Sequence, residues 1–92
     1  MEFETPRGWQ HLVDGVKEEG AKRGFTIYDI KEVFGGLRLY LMHLEGKVDL
    51  EMEEEIQRVE DISYKTCREC GGYVDHVKNI GGKLRAICIS CL

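Results

Sequence analysis

The chain has 92 residues, 42% of them hydrophobic, so it can form one small domain or a small domain with a metal-binding module packed on it. Its formal net charge is −4 and is unevenly divided, since residues 1–64 have 8 Lys or Arg against 15 Asp or Glu, whereas residues 65–92 have 5 against 2. These features argue against a membrane-spanning protein, because no apolar run is long enough, and against nonspecific binding to duplex nucleic acid, which needs a concentrated basic surface.

The first predicted element is a helix over residues 5–22. Thr5 is a suitable N-cap residue and Pro6 follows at the first helical position, while Gly24 can end the helix as a C-terminal cap. Apolar side chains recur at helical spacing and form one stripe, which consists of Trp9, Leu12, Val13 and Val16. The segment therefore predicts an amphipathic helix.

A β-hairpin is predicted next, with strands over residues 26–34 and 37–43 and with Gly35 and Gly36 at the turn. The second strand has two different faces: Leu37, Leu39 and Leu41 lie on one, and Arg38, Tyr40 and Met42 lie on the other. Because the second face is not cleanly polar, we expect it to be covered or to serve as a contact surface.

A second helix is predicted over residues 49–64, where Met52, Ile56 and Val59 follow a helical period. Its outer face is acidic and comprises Glu51, Glu53, Glu54, Glu55, Glu60 and Asp61. The acidic residues of the first turns favour the positive end of the helix dipole, which is the simplest explanation for their presence.

Two Cys-x-x-Cys pairs follow, Cys67 with Cys70 and Cys88 with Cys91, and 17 residues separate them. This is the ligand spacing of a zinc ribbon with four thiolates. Gly71 permits a tight turn after the first pair, and Gly81 with Gly82 marks the point where the ribbon hairpin reverses. The ribbon strands are predicted over residues 73–78 and 84–87.

Other uses of the four cysteines remain open at this stage. Two disulfides are an alternative, but the chain starts Met1-Glu2-Phe3-Glu4 without a secretory signal pattern, so we expect a cytoplasmic protein with reduced thiols. A thioredoxin-like redox pair and a rubredoxin-like iron site are the others. Four thiolates close a tetrahedron and leave no position for water, so the sequence predicts a structural metal, zinc, and not a catalytic one.

The complete prediction is an α+β fold in which a helix, a β-hairpin and a second helix precede a C-terminal zinc-ribbon hairpin. We divide it into a small α-β-β-α domain over residues 1–64 and a zinc ribbon over residues 65–92 docked on that domain. The oligomeric state is left open.

Residues outside the cysteine pairs add a second pattern. They are the segment KEVFGGLRLY from Lys31 to Tyr40, preceded by Gly8 and Trp9 and followed by Glu60, Ser63 and Thr66. With Cys67, Cys70 and Gly71, this pattern resembles that of small uncharacterised zinc-ribbon proteins of phages and prophages, whose hairpin motif is K-E-x-F-G-G-L-R-F-Y. The chain departs from it at Leu39, where Phe is usual, and at Cys91, where those proteins often have His. The resemblance implies a metal-binding, phage-associated protein and implies no activity.

Arg38, Tyr40 and Tyr28 are the candidate partner-binding residues, because an arginine fork beside a phenol suits a carboxylate, a phosphate or a base. The structural alternative pairs Arg38 with a glutamate of the second helix and packs Tyr40 on Trp9.

The sequence shows no acid/base pair and no phosphate loop, so we expect no enzymatic activity. Three functional hypotheses remain. The first is a phage-type protein-interaction module, and the second is a nucleic-acid binder that uses ribbon residues. The third is an acidic mimic of nucleic acid that uses the second helix. The residues for the second hypothesis are Lys65, Arg68, Tyr73, Lys78, Lys83 and Arg85.

Overall fold

The predicted α+β order of elements is confirmed by a computed structural model, which describes residues 5–92. Two helices and a two-stranded hairpin precede a smaller C-terminal hairpin that carries the cysteines. The elements are α1 (Gln10–Lys22), β1 (Phe25–Val33), β2 (Gly36–His43), α2 (Leu50–Ser63), β3 (Lys78–Ile80) and β4 (Lys83–Arg85), with 3-10 turns at Arg7–Trp9 and Ile89–Cys91.

The first helix begins later than predicted. Residues Arg7–Trp9 form a 3-10 turn, and the α-helix starts only at Gln10. This turn makes a tertiary contact, in which the backbone N–H of Gly8 donates to the carbonyl of Arg68, 2.7 Å away. At the other end the prediction is right, since Gly24 takes a φ of +83° directly after the helix ends.

The hydrophobic core lies between the hairpin and the two helices. β1 and β2 pair antiparallel, so residues opposite one another share a face, and Ile30 opposite Leu39 faces inward. The buried core residues come from every part of the chain, namely Trp9, Val13, Val16, Leu37, Leu39, Met52, Val59 and Ala86. Because Ala86 follows β4, the C-terminal hairpin contributes to the same core as the helices.

Helix α2 seals the outer edge of β2 with side chains. Ser63 Oγ accepts a hydrogen bond from the backbone N–H of Leu37, 2.7 Å away, and Glu60 Oε2 accepts one from Leu39, 2.8 Å away. Glu60 is buried although it belongs to the helix that was predicted to show an acidic outer face. An unpaired buried N–H costs about 1–3 kcal/mol. These two side chains supply the acceptors that a neighbouring third strand would otherwise provide. The start of α2 is as predicted, with Asp49 capping the N–H of Met52.

The turn of the main hairpin falls one residue earlier than predicted. Val33 pairs with Gly36, which leaves Phe34 and Gly35 as the two turn residues, with φ of +52° and +83°. Two positive φ values are the signature of a type I′ turn. Gly36 belongs to β2 and is needed for packing, because a Cβ there would lie 2.3 Å from the ring of Tyr64.

The ribbon strands are shorter than predicted, three residues each instead of residues 73–78 and 84–87. Residues before β3 pair instead with the segment that follows the second helix: Thr66 forms a bridge with Tyr73, and the N–H of Val74 donates to the carbonyl of Lys65. The reversal at Gly81 and Gly82 is as predicted, and both have positive φ.

Neither helix in residues 5–92 combines the length and the hydrophobicity that crossing a bilayer requires.

The turn residue Phe34 gives the first testable prediction. Phe34→Asn should raise the free energy of unfolding by about 1 kcal/mol, because asparagine tolerates positive φ far better than phenylalanine. Phe34→Ala is the matched control, since it removes the ring and keeps the unfavourable φ. Denaturant unfolding measures both, and an asparagine variant no more stable than the alanine variant would contradict the strained turn.

Candidate metal centre

The four predicted ligands converge at one point. Cys67 and Cys70 lie on the turn after α2, and Cys88 and Cys91 lie on the turn after β4, and all four Sγ atoms are within 4.8 Å of one another. Cys67 is buried, Cys88 and Cys91 are half-buried, and Cys70 is exposed. The hairpin β3–β4 therefore brings together two cysteine pairs that are distant in sequence.

The spacing of the sulfur atoms fits a metal ion and not a disulfide. Four sulfurs about 2.3 Å from a tetrahedral ion lie about 3.8 Å from one another. Cys70 and Cys88 are 3.6 Å apart at Sγ, well beyond the roughly 2.0 Å of an S–S bond, and all four cysteines are free thiols. The site can hold one metal ion with soft ligands.

Backbone N–H groups shape the two turns around the sulfurs. The N–H of Cys88 donates to Cys67 Sγ and the N–H of Gly72 donates to Cys70 Sγ, each over 3.4 Å. The first turn closes through Gly71, whose N–H donates to the carbonyl of Cys67 and whose φ is +81°. Gly71 thus has the role that the sequence predicted for it.

The thiols differ in how readily they ionise. Burial opposes ionisation of Cys67, but backbone N–H groups of Cys88, Cys70 and Glu69 outweigh it and lower the pKa of Cys67 to about 6. Hydrogen bonds with Cys88 and Cys70 raise the pKa of Cys91 to about 12. The pKa of Cys70 is also raised, by its side-chain contacts with Cys88 and Cys67, which outweigh the opposing N–H of Gly72. Four crowded thiolates repel one another, so a divalent cation is what allows all four to ionise together.

The first cysteine turn docks directly on the start of the chain. Besides the Gly8–Arg68 bond, the indole Nε1 of Trp9 donates to the carbonyl of Thr66 over 2.8 Å, and Trp9 is fully buried. A Cβ on Gly8 would lie 1.9 Å from the carbonyl oxygen of Cys67, so glycine alone fits. The N-terminal turn and the cysteine turn are in backbone contact.

An ionic contact joins both halves of the ribbon to the main hairpin. Glu32 of β1 accepts hydrogen bonds from two arginines, from Arg68 Nε over 2.9 Å and from Arg85 Nη1. Glu32 has 19% of its side chain exposed and the arginines 23% and 28%, so the three charges are partly withdrawn from water. A carboxylate between two guanidinium groups is a strong arrangement, which fixes β4 and the first cysteine turn on the hairpin.

The candidate partner-binding residues lie outside the metal centre. Arg38 is engaged as the structural alternative proposed, with Nη1 3.3 Å from Glu60 and Nη2 3.3 Å from the hydroxyl of Tyr64. Tyr40 does not pack on Trp9, because its side chain lies on the opposite face of β2; its ring is 6.2 Å from that of Tyr28. Tyr28 and Tyr40 are both exposed, at 55% and 37%. The structure thus brings the two tyrosines together and gives the arginine a structural contact.

The sequence analysis did not identify two contacts of the site, namely those made by Glu32 and by Gly8. For Glu32, the only available signal was the positive charge of Arg68 and Arg85 in the ribbon. For Gly8, a glycine directly before a tryptophan is too weak a signal to predict a backbone contact.

Comparison with known proteins yields no relative of this chain: no family model matches it, and neither does any curated protein or solved structure. Its function therefore has to be inferred from its own residues.

Gly8 provides a test of the docking. Gly8→Ala should lower the free energy of unfolding by about 2–4 kcal/mol and weaken metal binding, because the added methyl group displaces the backbone of the cysteine turn. Gly15→Ala is the matched control: a Cβ there meets nothing within 4 Å, so a gain of about 0.5–1 kcal/mol is expected in the helix. Equal stabilities of the two variants would show that Gly8 is not in tight contact.

Proposed function

We propose that the protein is a small phage-type accessory protein, stabilised by one structural zinc ion, that acts in the cytoplasm as a protein-interaction module. The observation that carries the proposal is the cluster of four sulfurs on two turns, the first of which contacts the core through Trp9. A centre in that position supports a rigid surface and has no free coordination site for a substrate. The phage association rests on the sequence resemblance alone.

Zinc is the metal that the ligand set supports best. Four thiolates favour a soft or borderline ion, and zinc imposes no geometric preference of its own on a tetrahedron of sulfurs. Iron in a rubredoxin-like site is the alternative with the same ligands. We propose no catalytic role for either ion, since all four positions belong to the protein.

The proposed contact surface is the outer face of the hairpin. Tyr28 and Tyr40 lie side by side there, Lys31 Nζ is 5.7 Å from the centre of the Tyr40 ring, and Met42 is exposed on the same strand face. Tyrosines present a large rigid area at low entropic cost and are enriched in protein interfaces. Arg38 lies on the same face of β2, where it contacts Glu60 and Tyr64.

The contacts of the basic residues weigh against the nucleic-acid hypothesis. Arg68 and Arg85 neutralise Glu32, and Lys78 Nζ donates to the carbonyl of Ile87 over 3.0 Å. Of the five ribbon cations, only Lys65 and Lys83 have no acidic group or carbonyl partner among residues 5–92. Two free lysines do not form the continuous basic groove that phosphate backbones require.

The acidic-mimic hypothesis loses support for a similar reason. Glu60 is buried against β2, Glu51 pairs with Arg23 over 3.2 Å, and Glu55 pairs with Arg58. These contacts leave Glu53, Glu54 and Asp61 as the exposed acidic residues of the helix without a cationic partner in the described chain. Three carboxylates on one helix are a solvated face and not an extended phosphate pattern.

A zinc titration tests the metal. Zinc added to reduced, metal-free protein at pH 7 should saturate at one ion per chain and release at least two protons, because the raised pKa values of Cys70 and Cys91 keep both protonated until zinc binds. For the same reason the affinity should rise with pH from about 6 to about 8. A pH indicator in weak buffer, with elemental analysis of the product, measures this. Zinc uptake without proton release, or iron as the metal of the isolated protein, would contradict the assignment.

A pull-down tests the interaction. Tagged, zinc-loaded protein is incubated with lysate of the source organism, with and without nuclease, and compared with a Tyr28→Ala, Tyr40→Ala double variant. We expect a protein partner that stays bound after nuclease treatment. The double variant should not bind it, because that variant removes most of the aromatic surface. Tyr73→Ala, at a tyrosine 70% exposed on the ribbon, is the matched control and should keep the partner. Loss of the partner on nuclease treatment, or with Tyr73→Ala, would favour nucleic acid instead.

A further inference from the structure

Phe34 occupies a position that its own fold does not explain. It takes a φ of +52°, a region that bulky residues avoid, and its side chain is 76% exposed, so the ring adds almost nothing to the core. The ribbon hairpin offers a direct comparison, because its turn also has two positive φ values and uses glycine at both positions. An unfavourable backbone combined with an exposed aromatic ring is a pattern that contact with another molecule would account for.

The ring of Phe34 borders a cleft between the two hairpin turns. The cleft has a volume of about 510 Å³ and lies between Phe34 with Gly35 on one side and Gly82 to Arg85 on the other. Leu84 adds a second exposed apolar side chain. The main hairpin turn packs on the base of the ribbon hairpin at Gly35, where a Cβ would lie 2.8 Å from Val77 and 3.3 Å from the backbone nitrogen of Arg85.

The border of the cleft is basic in an otherwise acidic molecule. Glu32, which lines it, pairs with Arg68 and Arg85, and Arg68 also pairs with Glu69, so these four charges cancel. Lys83 also lines the cleft, is exposed, and has no acidic partner within 4 Å among residues 5–92. A ligand that complements this border has an apolar group for the cleft and a negative charge beside it.

We propose that the cleft between Phe34 and Leu84 binds an acidic segment of a protein partner, in which an apolar side chain enters the cleft and an adjacent carboxylate pairs with Lys83. This inference rests on the proposed interaction function and adds to it a second surface and the chemistry of the partner. Single-stranded nucleic acid is the less suitable occupant, since one free lysine cannot follow a phosphate backbone on a chain of net charge −4.

The experiment selects peptides and then maps where they bind. Random seven-residue peptides displayed on particles are selected on zinc-loaded protein, and their affinities are measured by fluorescence anisotropy with synthetic copies. We expect the enriched peptides to place Leu, Ile, Phe or Trp next to Asp or Glu. Enrichment of basic peptides, or of none, would overturn the proposal, and so would equally tight binding of an oligothymidylate to the same cleft.

Variants tie the binding to the cleft. Phe34→Asn should fold at least as stably as the natural chain, and we expect it to lower the affinity for the selected peptides by about tenfold or more. Lys83→Glu should lower the affinity by a similar factor. Lys47→Glu makes the same charge change in the loop beyond the far end of β2 and should leave the affinity unchanged. Unchanged affinity in Phe34→Asn would refute the proposal, because the folded protein would then bind without the ring.

The outcomes also separate this inference from the function on which it rests. One outcome is that the peptides keep their affinity for Phe34→Asn but lose it for the Tyr28→Ala, Tyr40→Ala double variant. That result would place the interaction on the outer hairpin face, refute binding in the cleft and leave the proposed interaction function intact. If no peptide is selected and the lysate also yields no protein partner, both proposals fail.

Discussion

The structure depends on one contact, the close approach of the first cysteine turn to the 3-10 turn at Gly8 and Trp9. Gly8 touches the backbone of Cys67 and donates to Arg68, while the Trp9 indole donates to Thr66 from the centre of the core. A metal that fixes the cysteine turn therefore also fixes the first turn of the chain and the largest side chain of the core. In a chain of 92 residues, where the core is small, we expect a metal bound next to the core to have a large effect on stability.

This contact explains why the C-terminal residues do not behave as an appended module. Ala86 is part of the core, and Glu32 links β1 to arginines on both sides of the ribbon. Helix α2 in turn seals β2 through Glu60 and Ser63 and then leads directly into the cysteine turn. A metal bound by the four cysteines would support a frame with two exposed features, the tyrosine face of the hairpin and the cleft beside Phe34. These are the two surfaces that we propose for recognition, and neither would contain the open metal position that chemistry at an ion needs.

The sequence predicted those features that depend on local signals. The extent of α2, its cap at Asp49, the reversal at Gly81 and Gly82 and the convergence of four cysteines all follow from short patterns, and they are found. The features that differ depend on distant residues. Helix α1 starts after a 3-10 turn in which Gly8 lies against the cysteine turn, and the main hairpin turn falls at Phe34 and Gly35 because Gly36 packs against Tyr64. The buried role of Glu60 was missed because it was grouped with the exposed acids of α2, although helical spacing places it beside Ile56 and Ser63.

The most direct test of the account is removal of the metal while the single tryptophan is observed. As a chelator is added to the reduced, zinc-loaded protein, the emission of Trp9 should shift towards that of exposed tryptophan, and the helical circular dichroism should decrease at the same chelator concentration, because the cysteine turn and the core are one cooperative unit. Retention of both signals after the metal has been removed completely would contradict the account, because the helices and hairpin would then fold without the metal centre.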